Sequence, residues 1–203
     1  MNIAIVTLDG FNEMDSLVAM TMFNRLRAKG WNAQIVAPTT QITSMNGVAM
    51  EAQQPLSFAH MADGVILGSG IKTNHWKNQR SFFESLVLEP SRQLIGAQCS
   101  GRQLLCGLGL GDQDLPMTMG DMESPLAVSG NLAWAGGCLA AQYLVAWMIL
   151  RLGSKDMLED VVHSVAPYGE ENSYTSRMCL EVLGADPSLE QCLRIREAAA
   201  SHG

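Results

Sequence analysis

Several features are missing from this chain, and each absence narrows its function. There is no CxxC pair among its five cysteines, Cys99, Cys106, Cys138, Cys179 and Cys192. The count is odd and no secretory signal accompanies it, so neither a disulfide framework nor a zinc site is expected. There is no block of Lys and Arg, and the net charge is −7. Phosphate neutralisation needs clustered cations, so nucleic acid is not expected as a partner. There is no apolar run long enough to span a bilayer: the longest, Cys138 to Leu150, is interrupted by Gln142 and Tyr143. The N-terminus, Met1-Asn2-Ile3-Ala4-Ile5-Val6, lacks the positive region and cleavage site of a signal peptide. It reads as a first strand in a cytoplasmic protein. Neither a G-x-G-x-x-G nor a P-loop pattern occurs, and no two of the histidines His60, His75, His163 and His202 have metal-ligand spacing. No metal or cofactor is expected.

What is present is an ordinary globular composition. The chain has 203 residues, 47% apolar and 16% charged, enough for one well-filled core. Apolar runs at Asn2–Leu8, Trp31–Ala37, Val65–Leu67 and Leu94–Ala97 alternate with helical patterns. Asn12 is a candidate N-cap for a helix ended by Lys29-Gly30. Ile42 to Ala52 is a hairpin about Asn46-Gly47, and a second hairpin turns at Ser129-Gly130-Asn131. A helix is predicted over His75–Leu88, with Phe82, Phe83, Leu86 and Val87 as its apolar stripe. Others are predicted over Cys138–Leu152, from Ser154 through Ala166, over Tyr174–Leu183 and over Ser188–Ala200. Strands alternating with helices imply a mainly parallel sheet covered on both faces. Ligands bind such sheets beyond the C-terminal strand ends. The turns at Asp9–Asp15, Gly68–Gly70 and Cys99 all follow predicted strands, so they share one sheet edge.

Cys99 is the foremost candidate for chemistry. It sits between the Leu94–Ala97 strand and a helix beginning near Gln103, with only Ser100-Gly101 for the turn. Such a junction has the geometry of a nucleophile elbow and sets the thiol at a helix N-terminus, which can depress its pKa. The other reading is a structural cysteine at a tight junction. Asp15 could assist a thiolate or activate water, or it could be the acidic member of a capping box with Asn12. Gly68-Ser69-Gly70 could present N–H groups to an oxyanion or simply turn the chain. The N–H of Ser100 is a further oxyanion donor. His75 could reach the crevice or lie in solvent, and His163 falls on the polar side of its helix.

Together these pieces resemble the ThiJ/PfpI family, the cysteine-bearing branch of the class I glutamine amidotransferase-like fold. The resemblance spans roughly Asn2 to Ala166. It rests on Ile3-Ala4-Ile5-Val6 leading to Asp9-Gly10-Phe11-Asn12-Glu13-Met14-Asp15, on Gly68-Ser69-Gly70, on Cys99-Ser100-Gly101 with Leu104-Leu105, and on Gly130-Asn131 followed by Ala135-Gly136-Gly137. Isonitrile hydratase-like and regulator-like members are the most similar. The resemblance implies an α/β, flavodoxin-like three-layer sandwich over residues 1–166, with 167–203 as a helical extension packed on it. It implies Cys99 as nucleophile, Asp15 as its acidic neighbour, and Ser69, Gly70 and Ser100 on the oxyanion side. A homodimer acting on a small molecule is implied as well. Two departures stand out. The usual Pro-Gly-Gly is Gly68-Ser69-Gly70, and Leu110 to Ser129 holds no histidine, so only His75 could complete a Cys-His pair. Residues 167–203 are too few and too acidic for the helix-turn-helix of regulator-like members. The resemblance therefore implies a cysteine-dependent hydrolase or hydratase of isonitrile hydratase type. A redox or electrophile sensor, and a glyoxalase- or deglycase-like activity, are the alternatives.

Overall fold

The computed structural model describes residues 1–111 and 115–190. The expected helix over Ser188–Ala200 extends beyond them, and Cys192 and His202 lie outside the described residues. The strands are β1 (Asn2–Val6), β2 (Asn32–Ala37), β3 (Gln41–Thr43), β4 (Ala49–Glu51), β5 (Gln54–Pro55), β6 (Gly64–Leu67), β7 (Leu94–Gln98), β8 (Leu126–Ser129) and β9 (Leu132–Ala135). Seven of them form one sheet in the order β5-β2-β1-β6-β7-β9-β8, while β3 and β4 pair as the separate hairpin about Asn46-Gly47. Every pairing in the large sheet is parallel except β8 with β9, the hairpin that turns at Gly130. This is the mainly parallel α/β sheet that the strand–helix alternation demands.

The helices are α1 (Glu13–Asn24), α2 (Thr73–Trp76), α3 (Arg80–Ser85), α4 (Arg102–Gly107), α5 (Ala141–Leu152), α6 (Lys155–His163) and α7 (Glu171–Ala185). Successive strand residues point to opposite faces, and the central strands therefore feed two cores. Ile3, Ile5 and Ile66 pack with Phe23 of α1, Trp147 of α5 and Val162 of α6. Ala4, Val6, Val65 and Ile95 pack on the other face with Phe82 of α3 and Leu104 of α4. Sheet and two helical faces make the three-layer sandwich.

Local chemistry explains most element ends. The side chain of Asn12 accepts from the Met14 N–H and Ser154 accepts from the Met157 N–H, so both are N-caps. Gly30 takes a left-handed φ of 83° and closes the short 3₁₀ turn Arg27–Lys29. The single helix expected over His75–Leu88 is instead two short ones. Gln79 adopts an extended φ/ψ of −91°/98° between them, and Phe82 and Leu86 stay buried while Val87 is exposed. The break re-aims the aromatic cluster Trp76–Phe82–Phe83, whose rings meet edge to face. α7 starts before Tyr174 and runs on through Gly184 to Ala185. Among the described residues no helix is long and apolar enough to cross a membrane.

Candidate functional site

β7 ends at Gln98, and the chain turns at once through a 3₁₀ turn, Cys99–Gly101, into α4. Cys99 has φ +46°, a positive φ among the described non-glycine residues that belongs to Cys99 alone. Such a backbone costs on the order of 1 kcal/mol or more and persists only where its surroundings enforce it. Here the enforcement is visible. The indole N–H of Trp134 donates to the Cys99 carbonyl at 3.0 Å. A Cβ on Gly101 would lie 2.3 Å from the Leu67 carbonyl oxygen, so only glycine lets the turn pack on β6.

Asp15 enters from the first turn of α1. It is buried, 1% exposed, and points to the end of β6 rather than back to its own cap. Its Oδ2 accepts from the Ser69 hydroxyl, and the Ser69 N–H also serves the carboxylate. Its Oδ1 has no hydrogen-bond partner. Burial pushes the Asp15 pKa from 3.8 to about 6, and the two Ser69 contacts oppose the rise. The Ser69 hydroxyl in turn hydrogen-bonds the Cys99 sulfur, as does the Ser100 N–H. One buried hydroxyl thus joins the acid to the thiol.

A helix N-terminus can depress a thiol, yet the Cys99 pKa is raised, first by burial and then by the Asp15 charge. α4 is only six residues long and is entered through a 3₁₀ turn, so its dipole is weak against those two effects. The N–H groups of the Gly68–Gly70 turn could face an oxyanion or simply turn the chain. Ser69 N–H instead serves Asp15, and Gly70 N–H donates to the Ser100 hydroxyl at 3.4 Å. Thr73 locks this turn by donating to the Gly70 carbonyl at 2.8 Å and lying 2.9 Å from the Ser100 hydroxyl. The Ser100 N–H, likewise expected as an oxyanion donor, points at the sulfur. His75 is exposed; its Nε2 meets Gln79 at 3.2 Å and its ring meets Trp76. Among the described contacts it touches neither Cys99 nor Asp15. His163 is exposed, as its place on the polar face of α6 predicts.

Cys138 lies beside the Cys99 turn, a placement the sequence analysis did not single out. The Asn12 amide donates to its sulfur at 2.9 Å, and it is one of the smaller causes of the Cys99 rise. The side chain of Gln98 donates to the Gly137 and Cys138 carbonyls at 2.6 and 3.3 Å. The signal that would have found it is the one that found Cys99: both follow strands at the same sheet edge. A hollow of about 520 Å³ opens beside Cys138, walled by Pro125, Leu139, Gln142, Tyr143 and Tyr174. A second, of about 520 Å³, lies between Met122, Leu126 and α7 and includes neither Cys99 nor Asp15 in its wall. Among the described residues, no group of three or more His, Cys, Asp or Glu side chains is gathered as a metal site requires.

No family model and no curated protein matches the sequence. Solved structures do match in fold. Schizosaccharomyces pombe DJ-1 superposes with a TM-score of 0.69 at 17% identity, covering 82% of this chain and 100% of its own. A ThiJ/PfpI family protein from Pseudomonas syringae gives 0.68 at 17% identity, covering 93% of this chain and 90% of its own. Oxidized Toxoplasma gondii DJ-1 gives 0.64 at 16% identity over 81% and 97%.

Proposed function

We propose, for a chain that has the fold of the DJ-1 and ThiJ/PfpI proteins, a thiol-dependent enzyme that adds water to small electrophilic carbon. The observation that carries this reading is the Ser69 hydroxyl standing between Asp15 and Cys99. A hydroxyl can accept one proton while donating another. The Cys99 thiol donates to Ser69 as Ser69 donates to Asp15, and the pair passes from thiol and carboxylate to thiolate and carboxylic acid. The Coulomb part of the Cys99 rise disappears in that exchange, because Asp15 is then neutral. No histidine is needed, and an acid with a pKa of about 6 is poised for general acid–base work near neutral pH.

For an isonitrile, the atoms balance as follows. The Cys99 sulfur bonds the terminal carbon, and Asp15 protonates that carbon to give a thioimidate. Asp15, now a carboxylate, takes a proton from water as the oxygen adds to the same carbon. The C–S bond then breaks, the nitrogen is protonated, and an N-formyl amine leaves as the thiol is restored. The Oδ1 of Asp15, buried and without a hydrogen-bond partner, is the oxygen left to take that proton. A panel of isonitriles, nitriles and thioesters is the test. Turnover of one class that is lost in both Cys99→Ala and Asp15→Asn supports the reading, and full activity in Cys99→Ala would sink it.

A second reading has its own observation. The neighbouring Cys138 suits a redox sensor, and a protein of the same fold, T. gondii DJ-1, is described as oxidized. That reading expects no turnover of electrophiles but reversible oxidation at Cys99 under mild peroxide. Methylglyoxal consumption abolished by Cys99→Ser would instead favour the glyoxalase-like alternative.

A further inference from the structure

Cys99 and Cys138 come from adjacent strands. β7 and β9 run parallel in register, with Gln98 opposite Ala135. Cys99 is the first residue beyond that pair and Cys138 the third. Paired strands lie about 4.8 Å apart, and a disulfide tolerates Cα separations of roughly 4.4–6.8 Å. Cys138 therefore follows its strand at the same sheet edge, two residues beyond the position opposite Cys99.

Side chains hold them there. Gln98 reaches across to the Gly137 and Cys138 carbonyls. Asn12 donates to the Cys138 sulfur through its side chain and to the Ser69 carbonyl through its backbone at 2.9 Å. That same Ser69 bonds Cys99. The two thiols are thus tied to one ring of contacts, and each is partly exposed. Gly137, at φ +86° with open space around its α-carbon, is a backbone that can swing the Cys138 turn by a small angle. The mechanism above leaves Cys138 without a task. The remaining described cysteines sit elsewhere: the Cys106 sulfur meets the Arg102 guanidinium at 2.5 Å, and Cys179 packs on the α5–α6 core.

We propose that Cys138 is the resolving thiol for Cys99, so that a hydroperoxide converts the pair to a reversible disulfide. This rests on the reading of Cys99 as a reactive thiol. The Cys99 thiolate attacks the outer oxygen of the hydroperoxide. An S–O bond forms, the O–O bond breaks and the peroxide leaves as the alcohol or, for hydrogen peroxide, as water. The Cys138 thiolate then attacks the Cys99 sulfur, forming S–S as the S–O bond breaks and hydroxide leaves to become water. Two thiols and one hydroperoxide give one disulfide, one alcohol and one water.

The resolving step protects Cys99 from further oxidation. The test treats the wild-type protein, Cys138→Ser and Cys138→Ala with hydrogen peroxide, blocks free thiols, and maps peptides without reduction. Wild type is expected to lose about 2 Da and to yield a Cys99–Cys138 cross-linked peptide that dithiothreitol opens. Both variants are expected to form sulfenic acid at Cys99 and then sulfinic acid that dithiothreitol does not reverse. The inference is overturned if wild type reaches Cys99 sulfinic acid as fast as the variants, or if the cross-link joins a different pair. In either case the reactive-thiol reading survives. If Cys99 resists peroxide in wild type and in both variants, that reading and this inference fall together.

Discussion

Asp15 works against the stability of the fold that holds it. An acid whose pKa is 3.8 when unfolded and about 6 when folded keeps its proton more tightly in the native state. Stability is therefore highest below pH 4 as far as this group is concerned, and it falls as pH rises to about 6. At neutral pH the buried anion costs up to about 3 kcal/mol. Asp15→Asn removes that cost. Urea unfolding should find the variant more stable than wild type at pH 8, with the advantage shrinking towards pH 5. The same change should free the thiol. Without the Asp15 charge the Cys99 pKa falls back towards the ordinary value, so Cys99 alkylation at pH 8 should quicken even as turnover is lost. Ser69→Ala removes a hydrogen bond that favours the thiolate and should slow the same alkylation. A Cys99 alkylation rate at pH 8 that is unchanged in both variants would refute the Ser69 bridge. The junction that carries Cys99 was legible in the sequence, because a strand, a cysteine and two small residues admit few backbones; Asp15 was implied only by the family resemblance. The sign of the thiol's shift was not legible, because burial and a neighbouring charge are tertiary facts.

At the scale of elements, the sheet edge does the assembling. Asp15 follows β1, Ser69 follows β6, Cys99 follows β7 and Cys138 follows β9, and those four strands are contiguous in the sheet. The sequence carries this order in its alternation of apolar runs and turns, so the gathering of these turns at one edge was foreseeable. The partners within it were not. Gly70 N–H turns inward to Ser100 because Thr73 braces the turn, and the pattern of small residues holds no trace of that choice. The break at Gln79 was equally hidden, since Asn78-Gln79 carries neither proline nor glycine to announce it. The elbow's dependence on close approach is testable with two glycines. Gly101→Ala would set a Cβ 2.3 Å from a backbone oxygen that cannot give way. It should cost about 3 kcal/mol or more. Gly184→Ala, at an exposed position of α7 with no atom within 4 Å of the added Cβ, should instead gain roughly 0.5–1 kcal/mol. Equal effects from the two substitutions in chemical denaturation would contradict the tight packing of the elbow on β6.

For the whole molecule, the open question is whether the segment after Ala166 folds with the sandwich. Its buried contacts argue that it does. Met178 and Val182 of α7 are fully buried in the same core as Trp147 of α5 and Val161 of α6. Beyond α7 the buried Asp186 receives the Trp147 indole N–H at 2.9 Å and the Arg151 guanidinium at 3.4 Å. Arg151 also donates to Asn131 in the β8–β9 turn at 2.5 Å. A carboxylate at the end of α7 is therefore joined to the centre of α5 and, through Arg151, to the far edge of the sheet. Asp186→Ala would strand the indole N–H in a dry core and remove one of the contacts of Arg151, at a cost of about 2–3 kcal/mol. Because Trp147 belongs to the main core, that loss should lower the single unfolding transition of the entire protein. It should not produce an early transition of α7 alone. Amide exchange gives the decisive measurement: the α7 amides of the variant should lose protection in step with β1 and β6. If α7 alone exchanged faster while the sheet kept its protection, residues after Ala166 would be a separately folding appendage. The Cys99 crevice would then owe its rigidity to the sandwich alone.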